Sequence, residues 1–246
     1  TGKYDTSAVG VPTTMEYDVM DRQTKITYPD SAVLTNVYSV ANDYSGTRKF
    51  LTKTTDPMNH ITYTYTDYAG KTTQITDAMG GKTKMEYDCL HQLKKTTDPE
   101  GYSTTYDYDN LGRMTKRVHP DEGTTTFTYN PAGQVTRKTN ADNDYITYKY
   151  NRNRLTQIQY SKHPQNNVTY TYDTTGNGKG RITKVENGSM IKLIEYGNMG
   201  EVVSETKTFA IANTGNVYTF RMHFEYDSWN RMQKITYPDG EIVQYA

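Results

Sequence analysis

Apolar and polar residues alternate along most of the chain with a period of two. In the stretch "TTTFTY", Phe127 and Tyr129 fall on one side, while Thr126 and Thr128 fall on the other. Comparable runs precede many other tyrosines, with Thr, Lys, Asp and Glu between the apolar places. A period of two is typical of half-buried β-strands, and no segment shows the helical period. The pattern therefore predicts an all-β chain.

These strands belong to a repeated unit. Each unit begins with a lead tyrosine and a turn phrase such as "YDNLGR" (108–113), and the interval from Tyr87 to Tyr108 to Tyr129 to Tyr150 is 21 residues. Repeats at such a fixed period indicate a repeat architecture. With a unit around Tyr65 that is out of phase, we count about ten units. The lead tyrosines are Tyr17, Tyr38, Tyr87, Tyr108, Tyr129, Tyr150, Tyr172, Tyr196 and Tyr226.

The fourth residue after each lead is of a type that tolerates a positive φ angle. Glycine adopts this conformation freely, and Asn, Asp and His are the side chains enriched there. Such a residue closes a short hairpin loop that follows a type I turn. The predicted turn residues are Asp21, Asn42, Gly70 (for the out-of-phase unit), His91, Gly112, Gly133, Asn153 (for the shorter unit at Tyr150), Gly176, Gly200 and Asn230.

A second turn divides each unit into two strands. Phrases such as "DPEG" (98–101) place Asp, Pro and Gly as a type I turn requires. Because the connections are so short, strands adjacent in sequence must pair. We expect an antiparallel hairpin repeat array that curls into an open arc or spiral as part of a hollow shell, with a β-bulge or a change of face around Tyr65. We expect one domain over residues 1–246, cut from a longer protein.

Composition narrows the possible functions. Hydrophobic residues make up 34% of the chain and 24 residues are Tyr, which suits a thin sheet better than a thick core. The 28 basic residues balance the 28 acidic ones, so charge gives no reason to expect nucleic acid or an anionic membrane as a partner. Cys89 is the only cysteine, which excludes an internal disulfide.

No set of residues points to catalysis, to a cofactor or to a metal. Five of the nine lead tyrosines are followed by an aspartate (Asp18, Asp88, Asp109, Asp173 and Asp227), and a residue that recurs in register is structural, whereas a catalytic pair is needed only once. The five histidines lack the spacing of metal ligands, and "GNGKGR" (176–181) lacks the helix of a phosphate-binding loop. Trp229 stands where other units have Leu or Met, so we expect it to be a packing residue. We expect a protein that is not an enzyme and that binds no cofactor.

The phrases "YDNLGRMTKRVHPDEGTTTFTY" and "YDSWNRMQKITYPDG" resemble the YD repeat of the RHS family. That family includes polymorphic toxins, the cocoon of Tc toxins, wall-associated bacterial proteins and animal teneurins, whose repeats form hollow β-shells. The resemblance implies a scaffold at or outside a bacterial cell surface that encloses or displays another part of its parent, such as a toxin domain. The alternative that stays open is an extracellular carbohydrate-binding module with tyrosines as a platform. We expect no membrane insertion, and we expect self-association through an edge or the tyrosine face.

Overall fold

The computed structural model describes residues 12–211 and 215–245, which form 21 β-strands and one single-turn 3-10 helix. Contacts between Cα atoms divide the chain into two compact units, Thr1–Gly123 and Thr124–Ala246. The expectation of a single domain over residues 1–246 stays a prediction.

The first unit contains ten strands, and each pairs antiparallel with the next one in sequence. The strands are β1 (Thr14–Tyr17), β2 (Gln23–Thr27), β3 (Val33–Asn42), β4 (Arg48–Thr55), β5 (Ile61–Thr66), β6 (Thr72–Thr76), β7 (Lys82–Tyr87), β8 (Leu93–Thr97), β9 (Ser103–Tyr108) and β10 (Met114–His119).

The second unit repeats this arrangement with eleven strands, again antiparallel and in sequence order. They are β11 (Gly123–Tyr129), β12 (Val135–Thr139), β13 (Tyr145–Asn151), β14 (Arg154–Tyr160), β15 (Val168–Tyr172), β16 (Ile182–Glu186), β17 (Met190–Tyr196), β18 (Val202–Ala210), β19 (Val217–Tyr226), β20 (Met232–Thr236) and β21 (Ile242–Gln244). The 3-10 helix (Pro164–Asn166) lies between β14 and β15.

The predicted fold class, an all-β array of antiparallel hairpins, is confirmed. Its interior is thin: among the described residues, Ile235 is the one buried apolar side chain, and most inward-facing residues are only half-buried. Cross-strand pairs such as Met85 with Thr96 contribute about 0.2–1 kcal/mol each. The stability of such a sheet therefore depends on the number of pairs and not on a few deeply buried residues.

Two kinds of strand junction alternate through most of each unit, and β4–β5 and β18–β19 are the longer-paired exceptions. A hairpin closed by the lead phrase, such as β7–β8, is paired as far as its turn, where Tyr87 lies opposite Leu93. The following junction, β8–β9, is paired only over the three residue pairs next to the "DPEG" turn, from Thr97 with Ser103 to Lys95 with Thr105. Beyond those pairs, no further backbone pairing joins the two strands. We call this arrangement a splayed junction, and it recurs at β2–β3, β6–β7, β12–β13, β14–β15 and β16–β17.

Candidate functional site

The turn after each lead tyrosine is held by a small network of backbone and carboxylate hydrogen bonds. The Asp109 N–H donates to the Arg113 carbonyl and the Gly112 N–H donates to the Asp109 carbonyl, both at 2.9 Å. One oxygen of the Asp109 carboxylate accepts the N–H groups of Leu111 and Arg113 at 2.9 and 3.0 Å. Asp is favoured at the start of such turns because its carboxylate can accept backbone N–H groups two and four residues further along the chain. The same network surrounds Asp18, Asp67, Asp88 and Asp227.

The structure gives positive φ values to the residues that close these turns. The values lie between 59° and 82° for Asp21, Gly70, His91, Gly112, Gly133, Gly176, Gly200 and Asn230.

Two turn assignments made from the sequence were wrong. Asn42 lies at the end of β3, because that strand continues four residues beyond Tyr38 and the turn residue is Gly46, with φ of 76°. In the shorter unit the loop has two residues, and Arg152 has the positive φ of 51° in place of Asn153.

The lead tyrosines close the splayed junctions with their hydroxyl groups. The Tyr108 hydroxyl donates to the Leu93 carbonyl at 2.8 Å, across the part of β8–β9 that has no backbone pairing. The ring therefore fills the gap, and the hydroxyl supplies the hydrogen bond that the separated strands do not make. We call this contact a tyrosine lock. The other locks are Tyr38 to Gln23, Tyr87 to Thr72, Tyr150 to Val135, Tyr172 to Leu155 and Tyr196 to Ile182, all between 2.7 and 3.0 Å.

Sequence reasoning missed these acceptors. Each acceptor carbonyl belongs to the residue just after the last residue of a turn phrase, and in four of the six locks the tyrosine follows 15 residues later. A regular spacing between a tyrosine and the residue that follows an earlier turn phrase was available as a signal. It could not be interpreted without knowing that the strands separate at that point.

Three of the locks have an arginine next to the tyrosine ring. The guanidinium carbons of Arg22, Arg154 and Arg181 lie 4.3, 5.4 and 5.4 Å from the ring centroids of Tyr38, Tyr172 and Tyr196, respectively. Cation–π attraction operates at such distances. In each case the arginine directly precedes the residue whose carbonyl accepts the hydroxyl. The corresponding residue is Lys71, Gln92 or Gln134 in the other three locks.

The remaining lead tyrosines occupy the same backbone position. Tyr17, Tyr129 and Tyr226 lie opposite Gln23, Val135 and Met232, each next to a register shift. Tyr17 is more exposed, and its hydroxyl donates to the Met15 sulfur at 3.3 Å. The lead position is therefore defined by a bulge at the end of a hairpin, and the lock is an additional feature of most units.

The sequence predicts a β-bulge or a change of face around Tyr65, and the structure shows the register shift of the other lead positions with the tyrosine placed one residue before it. Thr66 takes the lead position opposite Thr72, after a register shift between Tyr65 and Thr66. Tyr65 consequently points to the opposite face, between its strand neighbours Leu51 and Gln74. Here β4 and β5 are paired over six residue pairs, from Thr55 with Ile61 to Phe50 with Thr66. The junction without a lead tyrosine is thus fully paired.

The lengthened β3–β4 hairpin folds its tip onto this inverted face. The Asp43 carboxylate is buried, and it accepts hydrogen bonds from the hydroxyls of Thr73 (2.8 Å) and Ser45 (2.6 Å). Burial acts to raise the pKa of Asp43, but the Ser45 and Thr73 hydrogen bonds outweigh it and hold the pKa below its ordinary value. Tyr44 lies beside Lys84, whose ammonium is 5.4 Å from the ring centroid.

Electrostatics in the turns follow from the same contacts. The hydrogen bond from the Arg113 side chain lowers the pKa of the Asp109 carboxyl below its ordinary value, and the hydrogen bond from the Arg113 N–H makes the second-largest contribution to this lowering. Burial raises the pKa of the locked hydroxyls of Tyr87, Tyr108 and Tyr196. Both shifts favour the protonation state that makes the observed hydrogen bonds, a charged carboxylate and a neutral phenol.

Other groups considered from the sequence are dispersed. In the described part of the chain, no cluster of three or more His, Cys, Asp or Glu side chains could hold a metal ion. Cys89 is exposed in a turn. Within the same residues, no helix has the length and apolar character needed to span a membrane. The packing role expected for Trp229 is wrong, because 79% of this residue is exposed at its turn.

Comparisons with known proteins agree with this architecture. Residues 87–125 and 129–165 match the family model of the RHS repeat. No curated protein sequence matches. Among solved structures, the chain is similar to the crystal structures of TcdB2-TccC3 (TM-score 0.76) and of TcdB2-TccC3-Cdc42 (TM-score 0.75). It is also similar to the structure of the Photorhabdus luminescens Tc holotoxin pore (TM-score 0.67).

The three structural matches have the same extent. Each has 15% sequence identity and covers 95% of this chain, which spans only 14% of the matched chain. Identity at this level shows a shared fold. The family model supplies the sequence evidence, and it matches at the units whose lead phrases are most regular. The chain therefore contains RHS repeats over residues 87–125 and 129–165, within a fold similar to that of TcdB2-TccC3.

Proposed function

We propose that this chain is a non-enzymatic scaffold, a segment of an RHS-type β-shell that encloses or displays another part of its parent protein, such as a toxin domain. The observation that carries the proposal is the use of the recurring side chains. The turn aspartates accept backbone N–H groups, and the lock tyrosines bridge separated strands. These groups build the sheet, and their recurrence is what a wall of repeated units needs.

The wall is proposed to act outside the cell or at the bacterial cell surface, and without a cofactor. The likeness to Tc toxin assemblies supports this location and a partner within the same parent protein. Self-association stays a prediction. It is supported by apolar side chains exposed at the tips of the lead turns, among them Met20, Leu90, Leu111 and Trp229.

The carbohydrate-binding alternative requires tyrosine rings with free faces. At Tyr38, Tyr172 and Tyr196 a guanidinium already lies against the ring, and the hydroxyl is engaged with a backbone carbonyl. A sugar would have to displace the arginine before it could stack there. This arrangement favours the scaffold over a general tyrosine platform.

Limited proteolysis of the full-length parent tests the proposal. We expect a segment outside the repeats to survive a protease that degrades the same segment when it is expressed alone. Combined Tyr87→Ala and Tyr108→Ala substitutions should open two splayed junctions and make that segment cleavable. Equal cleavage of the segment in the intact parent and alone would contradict enclosure. A glycan array tests the alternative, and saturable binding that is lost in the same variant would favour it.

A further inference from the structure

A cleft in the second unit lies at the junction between β14 and β15. This junction has only two residue pairs, Gln157 with Thr169 and Ile158 with Val168, fewer than at any other described junction of the second unit. A cleft of about 640 Å³ opens at the end of this junction that contains Tyr172. Pockets for small ligands have about this size. Its lining comprises Asn151, Arg152, Asn153, Arg154, Thr156, Tyr170, Thr171, Tyr172 and Thr174.

This lining contains two arginines and no carboxylate. Neither Arg152 nor Arg154 forms an ion pair with any described residue, whereas Arg22, Arg113 and Arg231 each pair with a turn aspartate. The nearest acidic residue in sequence, Asp173, uses one carboxylate oxygen to accept the Thr175 N–H. Arginine presents a planar fork of donors that matches a carboxylate or phosphate. Two arginines without ion-pair partners in one cleft can therefore bind an oxyanion.

Neighbouring residues hold the Arg154 guanidinium in place, and the turn fixes the backbone of Arg152. The Arg154 guanidinium lies over the Tyr172 ring and also against Gly180, where a Cβ atom would come within 3.2 Å of its nitrogen. The glycine-rich segment "GNGKGR" (176–181) therefore leaves room for Arg154 at the rim of the cleft. Arg152 has a positive φ of 51° in a two-residue loop, which is uncommon for a side chain of this size.

The rest of the lining can hydrogen-bond hydroxyl groups. Asn151, Asn153 and three threonines offer donors and acceptors, and Tyr170 offers aromatic surface beside them. A bare inorganic ion would use the arginines but not these groups. We propose that the cleft binds a small polyhydroxylated oxyanion, with the chemistry of an acidic sugar. The scaffold role does not depend on this site, so a result that contradicts one proposal leaves the other unaffected.

Isothermal titration calorimetry on the full chain tests the site with three probes: glucuronate, glucose and inorganic phosphate. We expect saturable binding of glucuronate, and affinities at least about tenfold weaker for glucose, which lacks the oxyanion, and for phosphate, which lacks the hydroxyl groups. Glucuronate binding should weaken as salt is added.

The substitutions Arg154→Gln and Arg152→Asn each remove one guanidinium group and should leave the protein folded. Glutamine is already the native residue at the corresponding position of the Tyr108 and Tyr150 locks, and Asn tolerates a positive φ. Each variant should bind glucuronate about tenfold more weakly or worse. Unfolding midpoints close to wild type would show that both variants remain folded.

Arg48→Gln is the matched control, because Arg48 is an exposed arginine on β4 that forms no ion pair with a described residue. It should leave glucuronate affinity within about twofold of wild type, since it lies outside the cleft. The proposal is overturned if wild type shows no saturable glucuronate binding, if phosphate binds as tightly as glucuronate, or if Arg48→Gln weakens binding as much as Arg154→Gln.

Discussion

The junctions β8–β9 and β4–β5 are built from similar turns and strands, yet they are held together differently. In β8–β9, three backbone pairs are followed by a gap that Tyr108 bridges to the Leu93 carbonyl. In β4–β5, six backbone pairs run to Thr66, which stands in the lead position. The comparison shows that a lead tyrosine acts as a spacer. Its ring takes the room between two hairpins, and its hydroxyl replaces part of the lost backbone pairing.

The largest expected effect comes from removing the spacer. Tyr108→Ala should lower the free energy of unfolding by about 2–3 kcal/mol, less than for a fully buried aromatic side chain, because the ring is half-buried. Thr66→Ala, at the corresponding position of the fully paired junction, should cost under about 1 kcal/mol. Urea denaturation of both variants measures the difference. Similar losses at the two positions would refute the distinction between the junctions.

A smaller effect is expected from the turn that leads into a lock. Gly112 has φ of 77°, and a Cβ there would lie 2.9 Å from Gln92 Nε2, next to the Leu93 acceptor. Gly112→Val should therefore cost about 2 kcal/mol through backbone strain. Gly112→Asn is the control, since Asn230 has the same conformation in its own turn, and it should cost under about 1 kcal/mol. Equal urea midpoints for the two variants would contradict the strain argument.

The smallest effect concerns pH and the carboxylate that holds the turn before β10. Because Arg113 lowers the pKa of Asp109 in the folded state, this carboxylate stabilises the fold above its unfolded pKa of about 3.9. That contribution is lost as the pH falls through the lower folded value. Asp109→Asn keeps an acceptor oxygen, as Asn130 does naturally, so the variant should be less stable than wild type at pH 7 and converge with it in acid.

Thermal unfolding between pH 7 and pH 2 measures that convergence. Asp107→Asn on the adjacent strand controls for the loss of one negative charge, because its carboxylate lies 3.9 Å from Lys116 and accepts no backbone N–H. A stability difference between Asp109→Asn and wild type that stays constant over the whole range would contradict the role assigned to the charged carboxylate.

Much of the architecture could be predicted from the sequence, because it depends on local chemistry. Gly112 and Asn230 predict their turns because both residue types tolerate a positive φ, and the alternation before Tyr129 predicts a strand. The misplaced turns at Asn42 and Asn153 arose where a strand was longer or a loop shorter than the repeat implied. Residue type does not encode such changes of length.

The locks and the β14–β15 cleft were beyond sequence reasoning for a different reason. Both depend on where paired strands separate, and that depends on how two hairpins fit together. Tyr65 shows the difficulty: its identity suggests a lead residue, but the bulge after it puts Thr66 in that place and turns Tyr65 to the other face. Only the register shows which tyrosine can reach a carbonyl of the preceding hairpin.

The most direct test of the tyrosine lock compares Tyr108→Phe with Tyr106→Phe in urea denaturation. The two tyrosines lie on the same face of β9, and only the Tyr108 hydroxyl has a hydrogen-bond partner among the described residues. We predict a loss of about 1 kcal/mol for Tyr108→Phe, which removes one hydrogen bond and leaves the ring, and almost none for Tyr106→Phe. Equal losses for the two variants would contradict the claim that the hydroxyl holds the splayed junction together.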